Sequence, residues 1–132
     1  MLYCLDTSIV IDIFYGDRSL LSKLEALKNQ NVVFCIASIS LAELYKGAYL
    51  AQKQKEALKL VEEFSQNIEF LDLTKDACKL FGQKYLELKK QGKQTQEADL
   101  MIGCIALANN ATFATRNLKD FSNIKGLKVM QW

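Results

Sequence analysis

The chain contains no histidine and no proline among its 132 residues. The missing histidine excludes serine–histidine–acid hydrolysis, cysteine–histidine hydrolysis and paired-histidine RNA cleavage, all of which need an imidazole to move protons. It also removes the commonest transition-metal ligand. A hydrolase of this composition must work with carboxylates and a hard cation such as Mg2+ or Mn2+. The missing proline leaves helix breaks to glycine, asparagine and capping side chains. No apolar run reaches the roughly 20 residues of a membrane span. The apolar N-terminal segment has no basic region before it and does not read as a signal peptide. The expected setting is the cytoplasm, with no membrane partner. Arginine is scarce, with only Arg18 and Arg116, so most phosphate contacts would fall to lysine acting as a point charge. The four cysteines, Cys4, Cys35, Cys78 and Cys104, form no Cys-x-x-Cys pair. They read as buried free thiols rather than zinc ligands.

What remains is the balance of a soluble globular protein, 50% hydrophobic and 24% charged, long enough for one domain over residues 1–132 with its own core. A net charge of +2 neither demands nor excludes a nucleic-acid partner, because a basic groove can coexist with a near-neutral total.

Short β-branched and apolar runs at 2–5, 32–36, 68–71, 112–115 and 128–131 predict strands. Between them the spacing predicts helices over 8–15, 18–29, a segment from Ser40 to Leu50, 53–65, 75–90 and 97–109. Ser40 and Glu43 have the spacing of a capping box. Thr74 is placed to cap the helix over 75–90, which turns Ala77, Phe81, Tyr85 and Leu88 inward and its lysines outward; Gly92 ends it. Alternating strands and helices imply an α/β fold with a mainly parallel sheet and helices on both faces. Ligand sites in such sheets lie beyond the carboxyl ends of the strands.

Three acids stand isolated in apolar surroundings: Asp6 is the only charge in 1–11, Glu43 in 32–45 and Asp99 in 98–115. Each has an ordinary explanation taken singly. Asp6 can cap a helix, Glu43 can close the capping box, and Asp99 can favour a helix N-terminus. Together with Asp120 after the fourth strand run, they occupy positions that converge at one edge of a parallel sheet. Converging carboxylates repel and call for cations, and paired divalent ions cleave phosphodiesters by in-line displacement.

These residues, in this order, resemble the PIN-domain nucleases, and within them the VapC-type toxins of bacterial VapBC toxin–antitoxin pairs. The resemblance rests on Leu5-Asp6-Thr7-Ser8, then Ile39-Ser40-Leu41-Ala42-Glu43-Leu44 with Gly47 following. It continues with Ala98-Asp99-Leu100-Met101-Ile102 and Ile105-Ala106-Leu107-Ala108-Asn109, and closes on Ala114-Thr115-Arg116-Asn117-Leu118-Lys119-Asp120-Phe121. It implies a three-layer sandwich around a parallel sheet and a Mg2+-dependent endoribonuclease leaving a 5′-phosphate and a 3′-hydroxyl. It also implies a small antitoxin that blocks the site, in a homodimer or larger toxin–antitoxin complex. It assigns catalysis and metal binding to Asp6, Glu43, Asp99 and Asp120. Thr7 and Thr115 match polar positions beside the acids. In some members the fourth acid stands where this chain has Asn117. Glu97 is additional negative charge two residues before Asp99.

Two lysine groups are candidate RNA tracks: Lys84, Lys89, Lys90 and Lys93 near a helix end, and Lys119, Lys125 and Lys128 with Arg116 near Asp120. Lys46, one helical turn from Glu43, can hold a phosphate or pair with the acid. Residues 9–15 (IVIDIFY) are more apolar than one buried helix face needs, which suggests a surface for another protein. The competing enzyme reading is a haloacid-dehalogenase-like phosphatase, but that family needs a second Asp where this chain has Ser8. The competing non-enzyme reading is an RNA- or protein-binding module that keeps the fold without the chemistry.

Overall fold

The computed structural model describes residues 1–132. Its strands are β1 (Leu2–Leu5), β2 (Val33–Ala37), β3 (Glu69–Leu71), β4 (Thr112–Thr115) and β5 (Lys128–Gln131). They form one sheet in the order β3-β2-β1-β4-β5, with every pairing parallel. The helices are α1 (Thr7–Phe14), α2 (Arg18–Lys28), α3 (Ser38–Leu50), α4 (Gln54–Gln66), α5 (Lys75–Lys90), α6 (Glu97–Ala108) and α7 (Leu118–Phe121).

Strand alternation assigns the layers. Cys4, Cys35, Ala37 and Phe113 face a core completed by α5, α6 and α7. Tyr3, Leu5, Ile36 and Ala114 face the opposite core, completed by α1 to α4 and Trp132. Fully buried rings and branched chains such as Phe113, Phe121, Ile9 and Ile105 each stabilise the fold by about 1.5–3 kcal/mol through water exclusion. Phe113 and Phe121 add a tilted ring pair at 4.4 Å. The three-layer α/β sandwich expected from the sequence is what the chain forms. After β1 the chain builds outward to β2 and β3 on one side, then crosses to β4 on the other. The point where this winding reverses lies between β1 and β4, and crevices open there at the carboxyl ends of the strands.

Caps account for several boundaries. Asp6 holds extended backbone and its side chain accepts from the Thr7 amide, opening α1. Thr74 Oγ1 accepts from Ala77 N at 3.2 Å and opens α5. Gly16 and Gly92, at φ 79° and 67°, turn the chain out of α1 and α5, a conformation that costs glycine little.

Four expectations need correction. Ser40 opens no capping box: α3 begins at Ser38 behind Ala37 with no side-chain cap, and the buried Ser40 hydroxyl has no partner. Strand β2 runs on to Ala37, so the helix starts before Ser40 is reached. On α5 the buried stripe falls at Ala77, Leu80, Phe81, Lys84 and Leu88, the helical i, i+3, i+4, i+7, i+11 series. Lys84, expected outward, keeps a side-chain exposure of 14%, and Tyr85, expected inward, is 45% exposed. The segment 118–121 forms a short helix that no periodicity signalled. Cys78, read with the other cysteines as a buried thiol, is exposed on α5. Within 9–15, Ile9 and Val10 are fully buried while Ile11 and Tyr15 remain exposed, so α1 packs one side on the core and leaves the other open.

Candidate metal centre

Asp6 follows β1 directly and is tied to the neighbouring strand by its amide, which donates to Ala114 O at 2.9 Å. Its carboxylate is nearly fully buried yet well supplied with donors, as a buried charge requires. Oδ1 accepts from Thr7 N at 2.8 Å. Oδ2 accepts from Thr115 Oγ1 at 2.6 Å and from Ser8 Oγ at 3.1 Å. Thr115, the last residue of β4, is itself fixed because its hydroxyl accepts from Asn117 N at 2.9 Å.

Glu43 reaches the same region from the second turn of α3, where its Oε1 accepts from Thr7 Oγ1 at 2.9 Å. Thr7 therefore bridges the first two acids, with its amide on Asp6 and its hydroxyl on Glu43. Asp99 sits in the first turn of α6. Its carboxyl is pushed up from the ordinary 3.8 to about 6, first by burial and then by the charges of Asp6, Asp120 and Glu43. The three acids that raise it are the other three singled out from the sequence. Asp120, in α7, shares a polar cavity of about 250 Å3 with Asp99, Lys119, Asn123 and the segment 94–96.

None of the four is paired with a lysine or arginine; the ion pairs of the molecule are Lys84–Glu87 and those of Arg116 with Asp12 and Asp17. No three of these side chains stand close enough to cage an ion as they lie. The fit of a cation is therefore judged on the donors. All are carboxylate oxygens, flanked by threonine hydroxyls and free of sulfur and nitrogen, which suits Mg2+ or Mn2+ and disfavours softer metals.

The secondary candidates separate. Thr7 and Thr115 touch the acids. Asn117 contributes its backbone amide to Thr115, while its residue is exposed at the head of α7. Glu97 faces a different cavity, with Tyr85, Lys89 and Lys93. Lys119 lines the acidic cavity. Lys46 is exposed and makes no ion pair with Glu43. Arg116 differs from the other RNA-contact candidates in being already engaged. Its partly exposed guanidinium holds Asp12 at 2.9 Å, Asp17 at 2.8 Å and the Trp132 carbonyl at 2.7 Å. Sequence reasoning gave Ser8 no contact with Asp6 and did not single out Asn123 or Thr95. A hydroxyl two residues after an isolated acid was the available signal for Ser8; the other two come from loops that only the fold brings near.

A second, apolar groove of about 310 Å3 opens beside the site, lined by Ile11, Phe14, Tyr15, Leu44, Leu60 and Val61 among others, and Glu43 is part of its wall.

The PIN domain family model matches residues 3–127. Ribonuclease VapC1 of Haemophilus influenzae strain R2866 is 30% identical over 132 residues, covering 100% of this chain and 98% of that protein. The tRNA(fMet)-specific endonuclease VapC of Shigella flexneri is 31% identical over 130 residues, covering 98% of this chain and 97% of that protein. Among solved structures, VapBC2 of Rickettsia felis bound to a promoter DNA fragment superposes with a TM-score of 0.93 at 31% identity, covering 100% of this chain and 99% of that one.

Proposed function

The chain belongs to the PIN-domain family, in its VapC-type branch, and from that premise we propose that it is a divalent-metal-dependent endoribonuclease, the toxin of a toxin–antitoxin pair. The observation that carries this reading is the electrostatic convergence of Asp6, Glu43 and Asp120 on Asp99, in a chain with no histidine. Unpaired like charges so arranged repel one another, and a cation relieves that repulsion.

Asp6, Glu43, Asp99 and Asp120 would hold Mg2+ or Mn2+, which would supply charge neutralisation at the phosphodiester and a more acidic water for attack on phosphorus. Thr115 and Ser8 fix the Asp6 carboxylate, and Thr7 holds Glu43 against it. This orientation keeps the acids aimed into the site before substrate arrives. Lys119, on the wall of the acidic cavity, contacts the RNA backbone as a point charge. Attack by water breaks the bond from phosphorus to the 3′ oxygen, giving a 5′-phosphate and a 3′-hydroxyl.

The partner is a small antitoxin with an apolar helix or strap for the groove around Ile11, Phe14 and Tyr15. A basic side chain beyond it extends past Glu43 to the acids. Relatives of this chain are solved as VapBC complexes, which supports such a partner and an assembly larger than one toxin chain. No helix here is long and apolar enough to cross a membrane.

Incubation with a cellular RNA pool in Mg2+, with end mapping of the fragments, tests the reading. Fragments with 5′-phosphates that disappear in EDTA and in Asp6→Asn support it. Undiminished cleavage in EDTA refutes the metal site, and RNA binding without cleavage in Mn2+ moves the chain to the non-catalytic alternative.

A further inference from the structure

Beside the acidic cavity lies a second polar cavity of about 270 Å3, lined by Lys84, Lys93, Lys125, Gln91, Ser122 and Asn123 among others. Two of its lysines come from the first lysine-rich segment and one from the second, so residues far apart in sequence meet around one space. Asn123 lines both cavities. Residues 91 and 93 wall the basic cavity and 94–96 the acidic one, and residues 119–125 run along both. The two cavities therefore lie side by side between the loop after α5 and the α7 turn, one bearing Asp99 and Asp120 and the other three lysines.

Lys84 is not a freely solvated charge, whereas Lys93 and Lys125 stand exposed at the rim. Lys84 belongs to the inward stripe of α5 with a side-chain exposure of 14%, and its one carboxylate neighbour, Glu87, stands at a loose 3.4 Å. Burial raises the Cys104 thiol against the opposing pull of the Lys84 ammonium, to about 11 in all, which sets that charge against α6 rather than in open water. Lys93 and Lys125 make no ion pair. Three ammonium groups with one loosely held carboxylate leave an excess of positive charge facing a cavity. Such a site attracts an anion, and lysine suits a phosphate met from varied directions.

We propose that this cavity is a backbone-phosphate subsite for the RNA strand, in which Lys84, Lys93 and Lys125 hold a phosphodiester flanking the one positioned at the acids. The inference rests on the nuclease reading for the identity of the strand, but its test does not depend on cleavage. The subsite grips the strand without reading bases, so it contributes to affinity for any sequence. It also fixes the direction in which the strand leaves the acids, past Asn123.

The probe is a mixed-sequence single-stranded RNA oligonucleotide, bound in EDTA over a series of salt concentrations. Its cleavage products in Mg2+ are followed separately. The variant Lys93→Ala/Lys125→Ala removes two exposed charges at the cavity rim. Lys75→Ala/Lys79→Ala removes two exposed charges from the far end of α5, so its total charge equals that of the rim variant. The rim variant should bind RNA several-fold more weakly. The slope of log affinity against log salt should fall by about 0.7 for each phosphate no longer neutralised. In Mg2+ its loss should fall on KM. The control should match the wild type in affinity and slope. Lys84→Gln, checked for an intact melting transition, should weaken binding in the same way. An unchanged slope in the rim variant, or equal losses in rim and control, overturns the subsite while leaving the nuclease reading intact. A lysine-dependent slope without cleavage in Mg2+ or Mn2+ supports the subsite and overturns the nuclease reading.

Discussion

Replacing Asp99 with asparagine keeps the size of the side chain and removes one of four crowded charges. The carboxyl is pushed from 3.8 to about 6 by burial and by Asp6, Asp120 and Glu43. At about 1.4 kcal/mol per pH unit the separation corresponds to about 3 kcal/mol. Asp99 still meets solvent, which screens part of this, so the destabilisation of the charged, metal-free fold is nearer to about 1–2 kcal/mol. A carboxylate in the first turn of α6 also gains about 0.3–1 kcal/mol from the helix N-terminus, which the substitution forfeits. The net expectation is a metal-free variant more stable than the wild type by about 1 kcal/mol at pH 7, a rise of roughly 3–5 °C in Tm for a chain of this size.

The sign of the pH dependence follows from the raised value. Below pH 3.8 the carboxyl is protonated both folded and unfolded, so aspartic acid and asparagine are nearly equivalent there. As pH rises towards 6 the unfolded chain loses its proton first, and the wild type loses stability relative to the variant. Above about 6 the gap is complete and constant. Thermal melts of metal-free wild type and Asp99→Asn, taken from about pH 4 to about pH 8, read this directly. Added Mg2+ should then raise the wild-type Tm more than that of the variant, because a ligand held only by the folded state stabilises it, while RNA cleavage by the variant is lost. A variant less stable than wild type at pH 7, or a gap independent of pH, refutes the crowding argument and leaves Asp99 as an ordinary helix-start acid.

Thr115→Val removes the hydroxyl that donates to Asp6 and accepts from Asn117; unfolding titrations should show a loss of about 1–3 kcal/mol, cleavage should fall with it, and Thr115→Ser should restore both. Arg116→Ala gives up the bonds to Asp12, Asp17 and the Trp132 carbonyl, so stability should fall by about 1–3 kcal/mol. The salt slope of its RNA binding should stay that of the wild type, and a slope reduced by about 0.7 would return the residue to the RNA-contacting set. A Cβ at Gly103 collides with the end of Ile124, so Gly103→Ala should cost about 1–3 kcal/mol by chemical denaturation, with most of the loss recovered in Gly103→Ala/Ile124→Val.

The strands and long helices were readable because their signals are local. The run VVFCI announces a strand, and Thr74 and Gly92 bracket α5 by their own backbone preferences. The acids were readable for a different reason: a lone carboxylate in an apolar stretch is costly enough to demand a partner. Features decided by contacts between distant segments were not readable. Ser40 has capping spacing, but β2 remains extended to Ala37 under pairing with β1 and β3, and the helix starts ahead of it. Hydrophobicity put Tyr85 inside and Lys84 outside, whereas the packing of α5 kept Ala77, Phe81 and Leu88 inward and took Lys84 in place of Tyr85. Arg116 beside Asp120 looked like a phosphate ligand, and nothing local revealed that Asp12 and Asp17 would claim it.

The bond from Thr115 to Asp6 spans 109 positions of sequence, and the central strand β1, made first, gains its neighbour β4 only near the end of the chain. Closing so long a loop is slow and entropically costly compared with forming α1 or α5. During synthesis, then, the segment carrying Asp6 leaves the ribosome long before the hydroxyl that orients its carboxylate. Asp99 emerges only shortly ahead of that hydroxyl, and Asp120 just after it. A growing chain interrupted anywhere before Thr115 holds an unfinished site. Competence therefore arrives in one late step, once β4 and the turn after it have been made and seated against β1.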